Sequence, residues 1–330
     1  MEEIAKFVND GELDAELIYS ESEHSMLSSA IGASAIGVRV FTATSSQGLA
    51  YAFENLFIAS GLRLPIVMAV ANRTLSSPIN IWNDIQDSIS ARDSGWLQFY
   101  AESSQESFDT IIQAYKIAEQ INLPVMVCVD GFTLSHMYEP VEILEQKQVD
   151  SFLPEYKPKF ILDPKKPITM GPVAYPNTFM QFKKQQQEAM LNSIKIIKKV
   201  NNEFKNKFKR SYGNGLIETY NLKNKKAIIA MGSVCGTIRE FCDKNKVGLI
   251  KIRCFRPFPK QELINTCKNL KELIVIDKDI SIGNEGALAI EVKSVLHNKK
   301  IKSFIMGLGG KDITLKDLEK TLKNKEGWIL

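Results

Sequence analysis

The chain has 330 residues, 44% apolar and 24% charged, which is enough material for two packed cores. Its 42 basic and 38 acidic side chains leave a net charge of +4, and no basic tract carries interleaved aromatics, so nothing points to nucleic acid. No apolar run reaches the roughly 20 residues that span a bilayer, no signal peptide opens the chain, and the five cysteines are scattered without a CxxC pair. That pattern argues against an iron–sulfur cluster or structural zinc in this chain, and for a reducing, cytoplasmic setting.

The first half alternates strands and helices. Strands are predicted at Glu16–Ser20, Val38–Thr44, Pro65–Ala71, Leu97–Ala101 and Pro124–Val129, with helices at Glu23–Ile36, Gly48–Ala59 and Gln105–Gln120. Several strands are continuous apolar runs, as in a parallel sheet covered on both faces. The alternation predicts an α/β layered domain over residues 1–150. Residues 151–222 break the pattern and read as a proline-rich linker and a long helix. Seven prolines lie between Pro140 and Pro176, so this segment is expected to wrap a surface. Within Phe179–Phe208, residues Met190, Ile194, Ile197, Phe204 and Phe208 form one apolar stripe. Packing on its own domain is the plain reading, and contact with a partner subunit is the other. Residues 223–330 form a second α/β unit, with strands at Ala227–Met231, Gly248–Arg253, Glu272–Ile276 and Ile301–Met306.

Chemistry in open α/β sheets gathers outside the carboxyl ends of strands. Thr42–Gln47, Asn72–Asp93 and Asp130–His136 fall there. The stretch Asn72–Asp93 is crowded with Asn, Asp, Gln, Arg and Trp, a mixture no packed core requires. It reads as one wall of a site for a small polar anion. Arg73 is its sharpest candidate: a charge beside a buried strand needs a partner, and a guanidinium fork matches a carboxylate. The bland alternative is an internal salt bridge to Asp84, Asp87 or Asp93. Trp82, Asn83, Asp84, Gln86 and Asp87 supply either orientation or a subunit seam.

Glu21, Glu23 and His24 fit a metal site, an acid/base pair or simply a helix start. Glu23 is the sharper one, because an enclosed carboxylate there can share a proton with a ring nitrogen. In Thr44–Gly48, Ser46 either caps the next helix or the turn holds an anion on free N–H groups. Asp130-Gly131-Phe132 resembles half of a diphosphate–magnesium motif, lacks the asparagine such a motif requires, and reads as a tight turn. Gly232–Gly236 is weakly phosphate-loop-like but lacks the GK[ST] ending. Arg253, Arg256, Pro257 and Pro259 read as a stiff basic turn at a surface or domain seam, and Gly307–Gly310 as another tight turn.

Together these motifs carry a resemblance. ESEHS at Glu21–Ser25, FTATSSQGL at Phe41–Leu49, NRTLSSPINIWNDIQDS at Asn72–Ser88 and RDSGWLQFYAE at Arg92–Glu102 are similar to motifs of the 2-oxoacid:ferredoxin oxidoreductases, in their multi-subunit archaeal and bacterial form. AMGSVCGTI at Ala230–Ile238, KIRCFRPFP at Lys251–Pro259 and GLGGKDI at Gly307–Ile313 extend the likeness over nearly the whole chain. It is strongest to the alpha subunits of pyruvate:ferredoxin oxidoreductase (pyruvate synthase).

The resemblance implies a pyrimidine-side thiamine-diphosphate-binding domain followed by a transketolase C-terminal-like α/β domain. It implies an enzyme active only in complex with beta, gamma and delta subunits, with ferredoxin as electron carrier and coenzyme A as co-substrate. Thiamine diphosphate and Mg2+ would be shared with beta, and iron–sulfur clusters would lie in partner subunits only, with no metal and no membrane for this chain. Glu23 matches the glutamate that contacts the aminopyrimidine N1′ and promotes its imino tautomer. Arg73 matches the arginine that orients substrate, with Ser45, Ser46, Gln47 and Gly48 beside the cofactor and Asn83 beside the substrate. Two rivals remain: 2-oxoisovalerate or another 2-oxoacid as substrate, and a non-catalytic scaffold subunit. Relatives also carry a segment ahead of the point where Met1 falls, with a YPITP-type turn whose threonine contacts substrate. Its lack predicts an exposed sheet position and impaired substrate binding. The short link from Cys242 to Val247 replaces a longer helix and should only trim a surface.

Overall fold

The structure, a computed structural model, describes residues 2–330. In chain order its strands are β1 (Phe41–Thr44), β2 (Val67–Asn72), β3 (Leu97–Tyr100), β4 (Val125–Asp130), β5 (Ile217–Tyr220), β6 (Lys226–Ala230), β7 (Gly248–Ile252), β8 (Cys254–Arg256), β9 (Glu272–Asp277), β10 (Lys300–Ile305) and β11 (Gly327–Trp328). They form two sheets, in the spatial orders β1-β2-β4-β3-β8 and β11-β10-β9-β6-β7-β5. Pairing is parallel except where β8 meets β3 and β5 meets β7.

The apolar runs explain the parallel sheets. Val67, Met68, Val70, Val125, Met126, Val127 and Cys128 are fully buried, because helices cover both faces. Those helices start where side chains satisfy their free N–H groups. Ser22 accepts from the Ser25 N–H at 3.2 Å ahead of the helix Glu23–Ala35, and Ser103 accepts from the Glu106 N–H at 3.2 Å ahead of the helix Ser104–Ile121. The helix Pro176–Phe208 buries Met190, Ile197, Phe204 and Phe208, with Ile194 partly covered, and packs on Ser104–Ile121. Its stripe therefore faces its own chain. The proline-rich segment crosses the first unit, where the Leu162 N–H donates to the Ala35 carbonyl at 2.9 Å.

The expected strand Glu16–Ser20 does not form. Ile18 and Tyr19 are exposed, and the segment has no ladder partner to satisfy its backbone. The expected helix Gly48–Ala59 is two helices, Gln47–Tyr51 and Phe53–Gly61, broken at Ala52. The expected strand Gly248–Arg253 ends one residue early, and the chain passes through Arg253 directly into β8 of the other sheet. Three residues are too few to show a period, so this crossing is silent in the sequence.

Arg253 is consequently the pin of the seam. It is 1% exposed, and its guanidinium donates to Glu106 at 3.0 Å, the Gly215 carbonyl at 2.9 Å and Thr110 at 2.7 Å. Lys251 Nζ reaches Glu106 at 2.6 Å and Glu102 at 2.9 Å, and Arg239 pairs with both Glu102 oxygens. The basic residues around KIRCFR are thus committed to holding the units together. Arg256 joins in through Glu291 at 2.6 Å.

Candidate active site

The carboxyl ends of β1 and β2 open side by side, and between them lies a cavity of about 650 Å³ lined by Glu23, Ala43, Thr44, Ser45, Gln47, Gly48, Tyr51 and Arg73. A second cavity, of about 700 Å³, adjoins it through Glu23 and Ala43 and runs under the helix Glu2–Asn9. Glu23 is half-buried and borders both. The first turn of its helix places it there, and Gly48 makes the room: a Cβ built on Gly48 would lie 2.7 Å from Glu23 Oε1 and 2.7 Å from Thr44 Oγ1. The carboxylate and the hydroxyl therefore converge over a glycine that any side chain would fill.

Two buried polar atoms of this cavity have no hydrogen-bond partner among the described residues, Thr44 Oγ1 and Arg73 Nε. Orphans of this kind ask for a ligand. The alternative of an internal salt bridge for Arg73 does not hold among the described residues. Asp93 lies 3.9 Å from Arg92 and 3.8 Å from Arg256 instead. Asp84 accepts from the Gln86 N–H at 3.0 Å. Of Arg73, Asp87 takes the backbone N–H alone, at 3.1 Å. The Arg73 fork is left free for a carboxylate from outside.

Ser46 neither caps nor lines. It sits at φ 53°, is fully buried, gives its helix no side-chain cap, and hydrogen-bonds the Thr74 carbonyl. Its own N–H is taken by Asp87 Oδ2 at 2.8 Å. The anion at this turn is the protein's own carboxylate. Gln47 and Ser45 do face the cavity, and Gln47 donates to Ser76 at 2.8 Å. Glu21 accepts from the Ser25 hydroxyl and His24 stands 3.8 Å from Glu54, so neither joins Glu23 in a cluster. Among the described residues no group of His, Cys, Asp and Glu could hold a metal ion. All five cysteines are free and buried.

Asn83 is not brought to the cavity. It is 1% exposed, donates to the Asn72 carbonyl at 3.1 Å and accepts from Lys278. Lys278 in turn pairs with Asp130 at 2.9 Å, and Asp130 also accepts from the Ser233 N–H at 3.2 Å. The turn at Asp130 and the loop at Gly232 are thus two sides of one joint. The Gly307–Gly310 turn closes over the same segment, with the Gly310 N–H on the Asn83 carbonyl at 2.6 Å and Asn80 Nδ2 on the Gly309 carbonyl at 3.2 Å. Gln86 accepts from the Ile280 N–H at 3.1 Å. The polar stretch after Arg73 is a seam within one chain, and it fixes Arg73 from behind.

Two residues were missed by sequence reasoning. Thr44, expected within the polar cluster Thr42–Gln47 but not singled out there, lines the cavity with its hydroxyl. Tyr51, one turn along the helix from Gly48, lines it too. Period alone could not single either out.

Comparison with known proteins fits this geometry. Residues 1–202 match the family described as "Pyruvate flavodoxin/ferredoxin oxidoreductase, thiamine diP-bdg", and residues 225–318 match "Pyruvate:ferredoxin oxidoreductase core domain II". The chain belongs to the pyruvate:ferredoxin oxidoreductase family. Among its relatives, a "Pyruvate synthase subunit PorA" of Methanocaldococcus jannaschii is 56% identical over 99% of this chain and 86% of that one. The subunit of the same name from Pyrococcus furiosus is 49% identical, over 98% and 85%. A "Ketoisovalerate oxidoreductase subunit VorA" of Pyrococcus horikoshii is 44% identical, over 97% and 84%.

In three dimensions the chain resembles a 2-oxoglutarate:ferredoxin oxidoreductase from Magnetococcus marinus. The TM-score is 0.72 at 18% identity, over 98% of this chain and 59% of that one. It also resembles a split-gene transketolase, with a TM-score of 0.52 at 13% identity over 92% and 81%. These likenesses concern the fold, an α/β arrangement with a transketolase-like second unit. No helix among the described residues is long and apolar enough to cross a membrane.

Proposed function

We propose that this chain is the alpha subunit of a thiamine-diphosphate-dependent pyruvate:ferredoxin oxidoreductase, interconverting pyruvate with acetyl-CoA and CO2 in a cytoplasmic complex. The observation that carries the reading is the free Arg73 guanidinium facing a carboxylate, Glu23, across one cavity that also holds the orphan Thr44 hydroxyl. The fit to the cofactor is local and physical. Glu23 would hold a ring nitrogen of the aminopyrimidine, sharing a proton with it, and Gly48 leaves the ring its space. Ser45, Gln47 and Tyr51 would bound it. Ser46 supports that wall from behind rather than touching it, and Asn83 supports Arg73 in the same way.

When bound, thiamine diphosphate supplies the carbon nucleophile and electron sink for decarboxylating a 2-oxoacid. Arg73 would grip the substrate carboxylate by two parallel N–H bonds. The diphosphate and its Mg2+ would be shared with a beta subunit, as the resemblance implies. Iron–sulfur clusters would lie in partner subunits, with gamma and delta completing the complex, ferredoxin carrying electrons and coenzyme A accepting the acyl group, as the resemblance implies.

The assembled complex, assayed on pyruvate, 2-oxoisovalerate and 2-oxoglutarate, tests the proposal. The highest kcat/KM is expected on pyruvate. Preference for 2-oxoisovalerate would move the chain to the function of its ketoisovalerate relative, and a complex that assembles but turns over none of the three would make it a scaffold.

A further inference from the structure

We infer that Asp87 is a positioning residue, one that clamps the Ser46 turn and the Arg73 strand end into a single rigid rim and so sets the affinity for the 2-oxoacid. This rests on Arg73 being the carboxylate site. Asp87 is 3% exposed, does not line the cavity and meets no cationic side chain among the described residues. Its Oδ2 accepts from the Ser46 N–H at 2.8 Å and the Arg73 N–H at 3.1 Å. Its Oδ1 accepts from the Asn72 amide at 2.6 Å and the Ser88 N–H at 2.8 Å. All four donors are neutral, so no ion pair explains burying this charge. Burial pushes its carboxyl pKa up to about 6, against the pull of those four donors.

The two N–H groups sharing Oδ2 come from different strand ends. Ser46 follows β1 in a positive-φ turn that a serine adopts only when its surroundings impose it. Arg73 follows β2 and has no other anchor on its backbone N–H. One carboxylate oxygen therefore fixes both walls of the cavity relative to each other. Glu23 stands outside the clamp, held by its own helix start at Ser22. Loosening Asp87 should misplace Arg73 while leaving the acid/base group in position.

That separation gives the test. In the assembled complex, Asp87→Asn removes the charge and sets an N–H against at least one donor pair. The expected result is a rise of about tenfold in the KM for pyruvate with kcat within about threefold, the signature of lost ground-state binding. Hydrogen exchange at the Ser46 and Arg73 amides should speed up in parallel. A purely structural role would lower the active fraction and hence kcat with KM unchanged, and that result overturns the inference.

Asn72→Ala removes one donor and keeps the carboxylate. If Asp87→Asn does not assemble, this variant decides: a KM raised about threefold supports the clamp, and an unchanged KM refutes it. Failure of the substrate reading looks different. There Arg73→Lys leaves the pyruvate KM unchanged while Asp87→Asn still accelerates exchange at both amides, and the claim about 2-oxoacid affinity falls with it.

Discussion

At the seam between the sheets, Arg253, Lys251 and Arg239 each find carboxylates at 2.6–3.0 Å, and Arg253 also donates to the Gly215 carbonyl and to Thr110. At the cavity above β1 and β2, Arg73 finds no carboxylate and the Thr44 hydroxyl no partner among the described residues. The two regions use the same residue types and differ only in whether the protein completes them. A completed charge costs desolvation and returns geometry. An incomplete one keeps its binding capacity for a molecule that arrives later. Glu23 shows the difference from the acid side: Glu106 is spoken for by Lys251 and Arg253, whereas Glu23, beside Gly48, borders the two cavities.

The sharpest way to break this comparison is at Glu23. Glu23→Gln in the assembled complex should slow exchange of the thiamine C2 proton by about 10²–10⁴-fold, the usual worth of a positioned acid/base group, with subunit assembly unchanged. Normal exchange would reclassify Glu23 with the structural carboxylates. At the seam, Arg253→Ala should destabilise the chain by about 3–5 kcal/mol, because the buried Glu106 loses one of its two cations and keeps Lys251 and the Glu102 N–H, read as a fall in the denaturation midpoint. At the cavity, Arg73→Lys should leave stability within about 0.5 kcal/mol while raising the pyruvate KM roughly tenfold, since one ammonium cannot replace the fork. Those two variants should thus exchange phenotypes, one losing stability and the other affinity.

The smallest effect concerns Asp279, which with Asp277 is buried at the start of the helix Ala287–Val295. Asp277 accepts from the Leu288 N–H at 2.8 Å and Asp279 from the Ala287 N–H at 3.0 Å. Burial raises both carboxyl pKa values, Asp279 to about 6 from 3.8. The folded state therefore holds this proton more tightly than the unfolded state does. That contribution is present below pH 3.8 and is lost as pH rises to about 6. Asp279→Asn should match the wild type in Tm at pH 4 and exceed it at pH 7. A gain confined to acid pH would reverse the assignment.

Much of this was legible in the sequence, for reasons that differ by region. β2 and β4 announced themselves as continuous apolar runs, and the polar clusters at their ends marked where chemistry collects. The stripe on Pro176–Phe208 was readable because 33 residues carry many turns of period. The crossing at Arg253 was not, since β8 is three residues long and its partner lies in the other unit. Asn83 and Asp87 sit in one polar string with Arg73, and composition cannot say which of them faces the cavity and which bolts it down. For Asn83 that distinction depends on Lys278 and Gly310, more than 190 residues further along the chain, and for Asp87 on the Ser46 turn at the end of another strand.

The central claim is that Glu23 shares a proton with a cofactor ring while Arg73 waits for a carboxylate. A structure of the assembled complex with thiamine diphosphate and a 2-oxoacid tests it most directly. The account predicts a Glu23 oxygen within hydrogen-bonding distance of the aminopyrimidine nitrogen, with the Arg73 fork on the substrate carboxylate. A Glu23 side chain turned to solvent, away from the ring, would contradict it.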